Sequence, residues 1–194
     1  MKVAADGLVL AGGFSRRMGT NKSQLPYNAS TTLVQHASDT LQTSISGTVW
    51  ISRPFTWGTL GDSDLPDSVG NQGPLQGILA GLTRTDHEWM AVLAVDCPNV
   101  PPELFDILYG ARGAKDQVLV PRCGNVSQPL AALWSKELAS HIVRSLHAHQ
   151  FKVQTLLNRI AAHYVLVPDP EWLVNLNTPQ DWEHWIARTG ANPR

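Results

Sequence analysis

A short segment near the start of the chain combines the residue types that bind anions. Two adjacent glycines, Gly12 and Gly13, follow an apolar run, and the cations Arg16 and Lys22 come shortly after them. Glycine lets the backbone turn tightly and approach a ligand closely, while cationic side chains neutralise charge that backbone N–H groups alone could not. The segment therefore predicts a loop that holds phosphate groups.

Two common glycine loops do not match this segment. A dinucleotide-binding loop requires G-x-G-x-x-G, whereas the glycines here fall at positions 12, 13 and 19. A Walker loop requires Gly-Lys-Ser/Thr at the start of a helix, but Lys22 follows Asn21 and leads toward a proline. Neither of these two nucleotide sites is indicated.

A second chemical signal is Asp96, the first charged residue after the apolar run of residues 90–95. A carboxylate at the end of a buried strand is exposed to a ligand, and Mg²⁺ prefers one or two carboxylates together with phosphate oxygens and water. Asp96 is therefore a candidate ligand of Mg²⁺. The alternative is that Asp96 caps a helix that begins near Pro101 and Pro102.

Asp67 is a candidate reader of a nucleotide base. It precedes the sequence Gly-Pro-Leu-Gln-Gly at residues 73–77. A carboxylate can accept both N–H groups that guanine presents along one edge, which adenine does not offer. Aspartate beside proline and serine is also common in turns, so a turn role is the alternative for Asp67.

Two asparagines near the end of the chain point to a further polar site. Asn175 and Asn177 alternate on an extended segment, so their amides lie on the same side and could hold a phosphate or complete the hydration shell of a metal. Thr178 and Pro179, which follow them, predict the cap and first turn of the final helix.

The elements that must position these residues are read from apolar patterns. Apolar or β-branched runs predict strands at residues 8–11, 48–52, 90–95 and 117–121, and helical stripes fall at 75–82, 138–146 and 153–160. Gly124 and Asn125 predict a hairpin turn. The alternation predicts an α/β fold: a single-domain, Rossmann-like three-layer sandwich around a mostly parallel sheet. Ligands of such sheets bind at the carboxyl ends of the strands.

Composition limits the classes of function. With 194 residues, of which 43% are hydrophobic, we expect one domain over residues 1–188 and a loose tail over 189–194. The 15 basic and 16 acidic residues nearly balance, so the chain has no overall positive charge with which to bind nucleic acid.

No run of about 18 apolar residues and no signal peptide is found, which predicts no membrane partner and a cytoplasmic location. Cys97 and Cys123 match no disulfide or zinc spacing and are expected to be packed thiols.

Four motifs, in order, resemble those of the molybdenum cofactor guanylyltransferases, a MobA-like nucleotidyltransferase family. Residues 8–19 resemble the signature L-A-G-G-x-S-x-R-M-G, residues 73–78 resemble G-P-L-x-G-I, residues 96–98 resemble a strand-Asp-x-Pro motif, and residues 175–182 resemble N-x-N-T-P-E-D-L. The resemblance covers residues 7–185. The chain departs from it at Asn21, where the family usually has Asp, and at Ser52, where it often has Asn.

The resemblance implies the fold of nucleotide-diphospho-sugar transferases and the transfer of GMP from GTP to the terminal phosphate of molybdopterin, with Mg²⁺ as cofactor. It also implies partners, which are GTP, the molybdopterin cofactor, and cofactor-insertion proteins and molybdoenzyme chaperones. The implied catalytic residues are Arg16, Lys22 and Asp96, with Asp96 as the metal ligand. The implied GTP contacts are Leu10, Ala11, Gly12, Gly13, Lys22, Ser52, Asp67 and Asp96, and the implied pterin or phosphate contacts are Gln128, Asn175 and Asn177.

Three other functions stay open at this point. A cytidylyltransferase for the same pterin is the nearest, although that sister family tends to have L-A-A-G and lacks G-P-L-x-G. A sugar-phosphate nucleotidyltransferase usually adds a longer acceptor domain, for which 194 residues leave little room. A nucleotide- or pterin-binding carrier without turnover is the third, and Asn21 is the feature that keeps it open.

Overall fold

A computed structural model describes residues 2–11, 24–54, 63–67 and 73–190, with only the backbone at residues 54, 66 and 67. The strands of this part of the chain are β1 (Ala5–Leu10), β2 (Val49–Pro54), β3 (Asp64–Asp67), β4 (Trp89–Ala94), β5 (Val118–Cys123), β6 (Val126–Ser127), β7 (Ala131–Ser135) and β8 (Ala162–Leu166). The α-helices are α1 (Leu33–Ser44), α2 (Pro74–Arg84), α3 (Glu103–Ala111), α4 (Ala139–His147), α5 (Val153–Leu157) and α6 (Pro179–Thr189).

The strands form one mixed sheet in the order β3-β2-β1-β4-β7-β5-β6, with β8 paired to the other side of β5. The pairs β1–β2, β1–β4, β2–β3 and β5–β8 are parallel, and β7 runs antiparallel between β4 and β5. β1 and β4 are buried along their whole length, as expected for strands covered on both faces, and Asp6 is the one charged residue in them. The predicted mostly parallel sheet is confirmed.

Helices cover both faces of this sheet. Successive residues of β1 show the two layers, since Gly7 faces Leu41 of α1 and Leu8 faces Gly81 of α2. α3 packs beside α1, and α4 packs beside α2. The predicted three-layer α/β domain is therefore confirmed. Within the described ranges, no helix is both long and apolar enough to cross a membrane.

The predicted hairpin forms, but its second strand is interrupted. Gly124 adopts a left-handed conformation with φ 57° in the turn between β5 and β6. β6 ends at Ser127 and β7 begins only at Ala131. Pro129 lies in the interruption, and proline has no N–H to donate to a sheet ladder. The residues between β6 and β7 can therefore contribute side chains to the site described below.

The helix predictions are confirmed with small changes in their ends. The stripe predicted over 153–160 forms α5, which ends at Leu157. Thr178 caps α6 through a capping box with Asp181, and Pro179 is the first helical residue. α6 continues to Thr189 and is closed by Gly190, whereas residues 191–194 lie outside the described part, so the domain boundary and tail stay predictions.

A buried carboxylate, Asp6, connects several segments near the amino-terminal end of β1. Asp6, only 7% exposed, accepts hydrogen bonds from the Thr48 N–H (2.7 Å) and from the Thr85 hydroxyl (2.7 Å). A Cβ added at Gly47 would lie 2.2 Å from a carboxylate oxygen of Asp6, so the chain requires glycine there. Asp6 thus joins β1 to the residues before β2 and after α2.

Candidate functional site

The carboxyl ends of three parallel strands meet at one edge of the sheet. Leu10 at the end of β1 lies opposite Ser52 of β2 on one side and opposite Ala94 of β4 on the other. The Ala11 N–H donates to the Ser52 carbonyl (2.9 Å), and the Val95 N–H donates to the Leu10 carbonyl (3.2 Å). The strands therefore stay paired up to the residues from which the predicted phosphate loop continues along the chain.

Asp96 lies directly after β4 at this edge and is half-buried. Its carbonyl accepts a hydrogen bond from the Leu176 N–H (2.8 Å), and the Cys97 thiol lies 3.5 Å from its Oδ1. The alternative role as a helix cap is not found, because the cap residue of α3 is Pro102 and no side chain caps that helix. Asp96 is therefore placed at the strand end, as predicted.

The structure brings Gln128 and Asn175 together beside Asp96. Asn175 Oδ1 accepts hydrogen bonds from Gln128 Nε2 (2.8 Å) and from the Cys97 thiol (2.9 Å). Gln128 is 5% exposed, and its Oε1 accepts from the Leu130 N–H (3.3 Å). Three segments that are distant in sequence thus meet through two side-chain amides and a thiol. The predicted contacts of Gln128 and Asn175 with a ligand stay predictions.

Cys97 has a role that the sequence did not indicate. The thiol was expected only to pack, and it is indeed buried. Its sulfur also contacts both Asp96 and Asn175. The one sequence signal was its position next to Asp96. Asn177, in contrast, has an exposed side chain, and its backbone N–H donates to Asp181 in the cap of α6 (2.8 Å).

Three predicted contact residues have side chains that lie inside the fold. Ser52 is 1% exposed and lies beneath α2, where a Cβ added at Gly77 would be 2.4 Å from its Oγ. Leu10 and Ala11 are also buried. Contacts of these residues with a nucleotide stay predictions, and backbone groups are the parts of Leu10 and Ala11 best able to make them.

The remaining predicted residues are only partly described. Gly12, Gly13, Arg16, Asn21 and Lys22 lie outside the described residues. The backbone of Asp67 is the last of β3, and its side chain lies outside the described part, so both its role as a reader and its role in a turn stay predictions.

β3 is held at the edge of the sheet near the site. Its Leu65 lies opposite Ser52, and an ion pair of Arg53 with Asp64 (2.5 Å) ties β3 to β2. Gly73 caps α2 with φ 77°, a conformation that favours glycine.

Asp96 fits the requirements of a magnesium ligand. Its carboxylate offers a hard oxygen at the strand end, which is the donor type that Mg²⁺ prefers. Among the described residues, no three His, Cys, Asp or Glu side chains gather closely enough to enclose a metal. A Mg²⁺ ion at Asp96 would complete its shell with phosphate oxygens and water, as this ion commonly does.

An aromatic cluster packs behind the loop that follows Asp96. The ring of His36 stacks on Tyr27 with ring centres 3.6 Å apart, and its Nε2 lies 3.0 Å from the Pro98 carbonyl. Tyr27 also contacts Trp185 of α6, whose Nε1 donates to Asn99 (2.8 Å). Burial lowers the pKa of His36, outweighing the hydrogen bond to Pro98 and the charge of Asp39, which raise it.

A shallow groove borders the site on the side of α6. Its volume is about 190 Å³, and one wall is the extended segment that carries Asn175. The exposed Arg188 on the α6 wall forms an ion pair with Glu171. The residues lining the groove are Val174, Asn175, Leu176, Asp181, His184, Trp185 and Arg188.

The chain has an α/β fold in which polar groups gather at the carboxyl ends of the parallel strands, which is the edge where such sheets bind ligands. The profile of the MobA-like NTP transferase domain matches residues 7–164 of the chain. The chain belongs to this family and is a MobA-like nucleotidyltransferase.

Individual relatives agree with the family. A protein of Bacillus cereus named probable molybdenum cofactor guanylyltransferase is 28% identical over 187 residues, covering 91% of this chain and 92% of its own. The crystal structure of molybdopterin-guanine dinucleotide biosynthesis protein A from Archaeoglobus fulgidus superimposes with a TM-score of 0.79 at 21% identity, covering 95% and 98% of the two chains. A manganese complex of Rv0371c from Mycobacterium tuberculosis has a TM-score of 0.67 at 16% identity, covering 96% and 100%.

Proposed function

We propose that this protein transfers GMP from GTP to the terminal phosphate of molybdopterin and releases pyrophosphate. The observation that carries the proposal is the meeting of Asp96, Gln128 and Asn175 at the carboxyl end of β4. The curated relatives named probable molybdenum cofactor guanylyltransferase support the choice of substrates. The predicted cytoplasmic location stays a prediction.

The proposed step is a displacement at the α-phosphorus of GTP. An oxygen of the terminal phosphate of molybdopterin forms the new P–O bond, and the bond to the β-phosphate oxygen breaks with its electron pair leaving on pyrophosphate. The attacking phosphate is already ionised at neutral pH, so no general base is required. Catalysis then depends on positioning and on neutralising charge.

Different segments of the chain would position the phosphates and neutralise their charge. In this proposal the backbone N–H groups of Gly12 and Gly13 hold the phosphates, and Arg16 and Lys22 stabilise the departing pyrophosphate. Asp96 would hold Mg²⁺, which when bound supplies further neutralisation of phosphate charge. The half-buried position of Asp96 supports this role, since electrostatic interactions are stronger where water is partly excluded.

The proposed reader of guanine is Asp67. It ends β3, the strand that lies beside β2, so its backbone is at the same edge of the sheet as the other candidate residues. Its carboxylate would accept the N1–H and the exocyclic N–H of guanine, which cytosine and adenine cannot present together.

Nucleotide binding tests this specificity. Isothermal titration in Mg²⁺ is expected to give tighter binding of GTP than of CTP or ATP. Asp67→Ala should lower the affinity for GTP by about tenfold or more, as expected for lost hydrogen bonds to a charged group, and leave CTP binding nearly unchanged. Asp86→Ala, at an exposed position outside the site, is the matched control and should leave all three affinities unchanged.

Two results would contradict the proposal. Preferential binding and turnover of CTP would indicate the cytidylyltransferase instead. Binding of GTP and molybdopterin without release of pyrophosphate would indicate a carrier rather than an enzyme.

A further inference from the structure

The backbone fixes the direction of the buried amide of Gln128. The Leu130 N–H can only donate, so the group of Gln128 that faces it at 3.3 Å must be the oxygen. The Leu130 carbonyl accepts from the Ala94 N–H (2.8 Å), which ties this backbone to the end of β4. The opposite end of the amide, Nε2, therefore points toward Asn175 as a donor.

The direction of Gln128 in turn fixes that of Asn175. Because Nε2 donates, the atom of Asn175 that receives it at 2.8 Å must be Oδ1. The Cys97 thiol donates to the same oxygen. The Nδ2 group of Asn175, with two N–H donors, has no partner among the residues that the structure describes, and the residue is half-buried beside the site.

We infer that Gln128 is a positioning residue, which holds Asn175 so that its N–H donors face the ligand while its carbonyl is turned inward. The inference rests on the proposed function. An outward amide N–H binds an anionic oxygen, whereas an outward carbonyl would bind a cation. Asn175 is thereby assigned to a phosphate group next to Asp96 and not to the metal, and Gln128 acts through Asn175 without touching the substrate.

Gln128→Glu tests this arrangement without removing the buried contact to the backbone. One carboxylate oxygen can still accept from the Leu130 N–H, so the fold is expected to persist. The other oxygen replaces the donor to Asn175, whose amide then turns its Nδ2 inward and its carbonyl outward. Binding of inorganic pyrophosphate should be followed from pH 6 to pH 9, because burial raises the pKa of the introduced carboxylate. Once that carboxylate is ionised, binding should be weaker than in the unaltered protein by about tenfold or more, as for a lost hydrogen bond to a charged group.

Binding of Mn²⁺ alone, followed by electron paramagnetic resonance, supplies the second readout. Gln128→Glu should leave Mn²⁺ affinity equal or higher, because an outward carbonyl and an added negative charge both favour a cation. A merely structural role of Gln128 would instead weaken the binding of both probes. Val126→Glu is the charge control, since it adds the same charge two residues away at a position that is 52% exposed, and it should change pyrophosphate binding little.

Four results would overturn the inference. These are unchanged pyrophosphate binding in Gln128→Glu, a parallel loss of pyrophosphate and Mn²⁺ binding, an equal loss of pyrophosphate binding in Val126→Glu, and no pyrophosphate binding by the unaltered protein. Pyrophosphate carries neither base nor pterin. A preference for CTP would therefore contradict the proposed function while leaving the outcome of this experiment intact.

Discussion

Gly77 lets α2 pack closely against the ends of β1 and β2. A Cβ added there would lie 2.4 Å from Ser52 Oγ and 2.9 Å from Leu10 Cδ2, and both of these neighbours are buried. Helix propensity favours alanine over glycine by about 1 kcal/mol, whereas overpacking a buried contact costs about 1–3 kcal/mol. The contact therefore outweighs the propensity at this position.

We expect Gly77→Ala to lower the free energy of unfolding by about 1 kcal/mol, measured by urea unfolding. Gly110→Ala is the matched control, because Gly110 is also within a helix and a Cβ there meets no atom within 4 Å. At Gly110 only the higher helix propensity of alanine should matter, so Gly110→Ala should raise the free energy of unfolding by about 0.5–1 kcal/mol. Stabilisation by Gly77→Ala would show that α2 can move away from β1 and β2 at little cost.

At the scale of elements, the end of α4 contains a strained residue. His149 adopts φ 54° just after the helix, and its N–H donates to the Leu146 carbonyl (3.0 Å). The Gln150 N–H donates to the Ser145 carbonyl (2.8 Å). These two bonds form a Schellman motif, in which the left-handed position is usually glycine. The backbone of His149 therefore closes α4.

His149→Gly is expected to stabilise the protein by about 0.5–1 kcal/mol, because glycine adopts positive φ without steric cost. Thermal unfolding should show a Tm about 2 °C higher. His147→Gly, two residues earlier and within α4, should instead lower stability by about 0.5–1 kcal/mol. If both variants lowered Tm equally, the edge contact of His149 with Phe151 would outweigh the backbone strain.

The elements differ in how well the sequence predicts them. β4 is a continuous apolar run and lies within one residue of its prediction at each end, because burial on both faces favours such runs. β1 begins at Ala5, three residues before its predicted start, because Asp6 and Gly7 interrupt the apolar pattern there. β8 was not predicted, since this edge strand is only partly buried and lacks such a run. α1 was also missed among its polar residues, although Thr32 and Gln35 form a capping box that was visible in the sequence.

The candidate site was predictable only where a strand end or a motif marked it. Asp96 follows an apolar run, so its location could be read directly. The bonds of Asn175 with Cys97 and Gln128 join positions 78 and 47 residues away, and no local pattern encodes such pairings. The contact of His36 with Pro98 across 62 residues is of the same kind.

At the scale of the whole molecule, the aromatic cluster joins α1 and α6 to the loop after Asp96. His36 belongs to α1, Trp185 belongs to α6, and Tyr27 lies between them. Pro98 and Asn99 of the loop accept hydrogen bonds from His36 and Trp185. Protonation of His36 therefore acts on a junction between distant parts of the fold.

Burial lowers the pKa of His36 below 6.5, the value expected for the unfolded chain, even though the Pro98 carbonyl and Asp39 favour its charged form. As pH falls through 6.5, the unfolded state binds a proton before the folded state does. Stability from this residue is therefore complete above pH 6.5 and declines as pH falls toward the pKa of the folded state. Each unit of difference between the two pKa values corresponds to about 1.4 kcal/mol.

His36→Gln should remove this part of the pH dependence. Its amide can still donate to the Pro98 carbonyl, but it does not titrate. The free energy of unfolding of both proteins should be measured in urea from pH 8 to pH 5. At pH 8 the variant should be less stable, because ring stacking is lost. As pH falls, its free energy of unfolding should decline less than that of the unaltered protein. The two curves therefore converge, or cross, toward pH 5. Parallel curves over this range would mean that His36 accepts a proton as readily in the folded protein as in the unfolded chain, and that the cluster opens to water when it does.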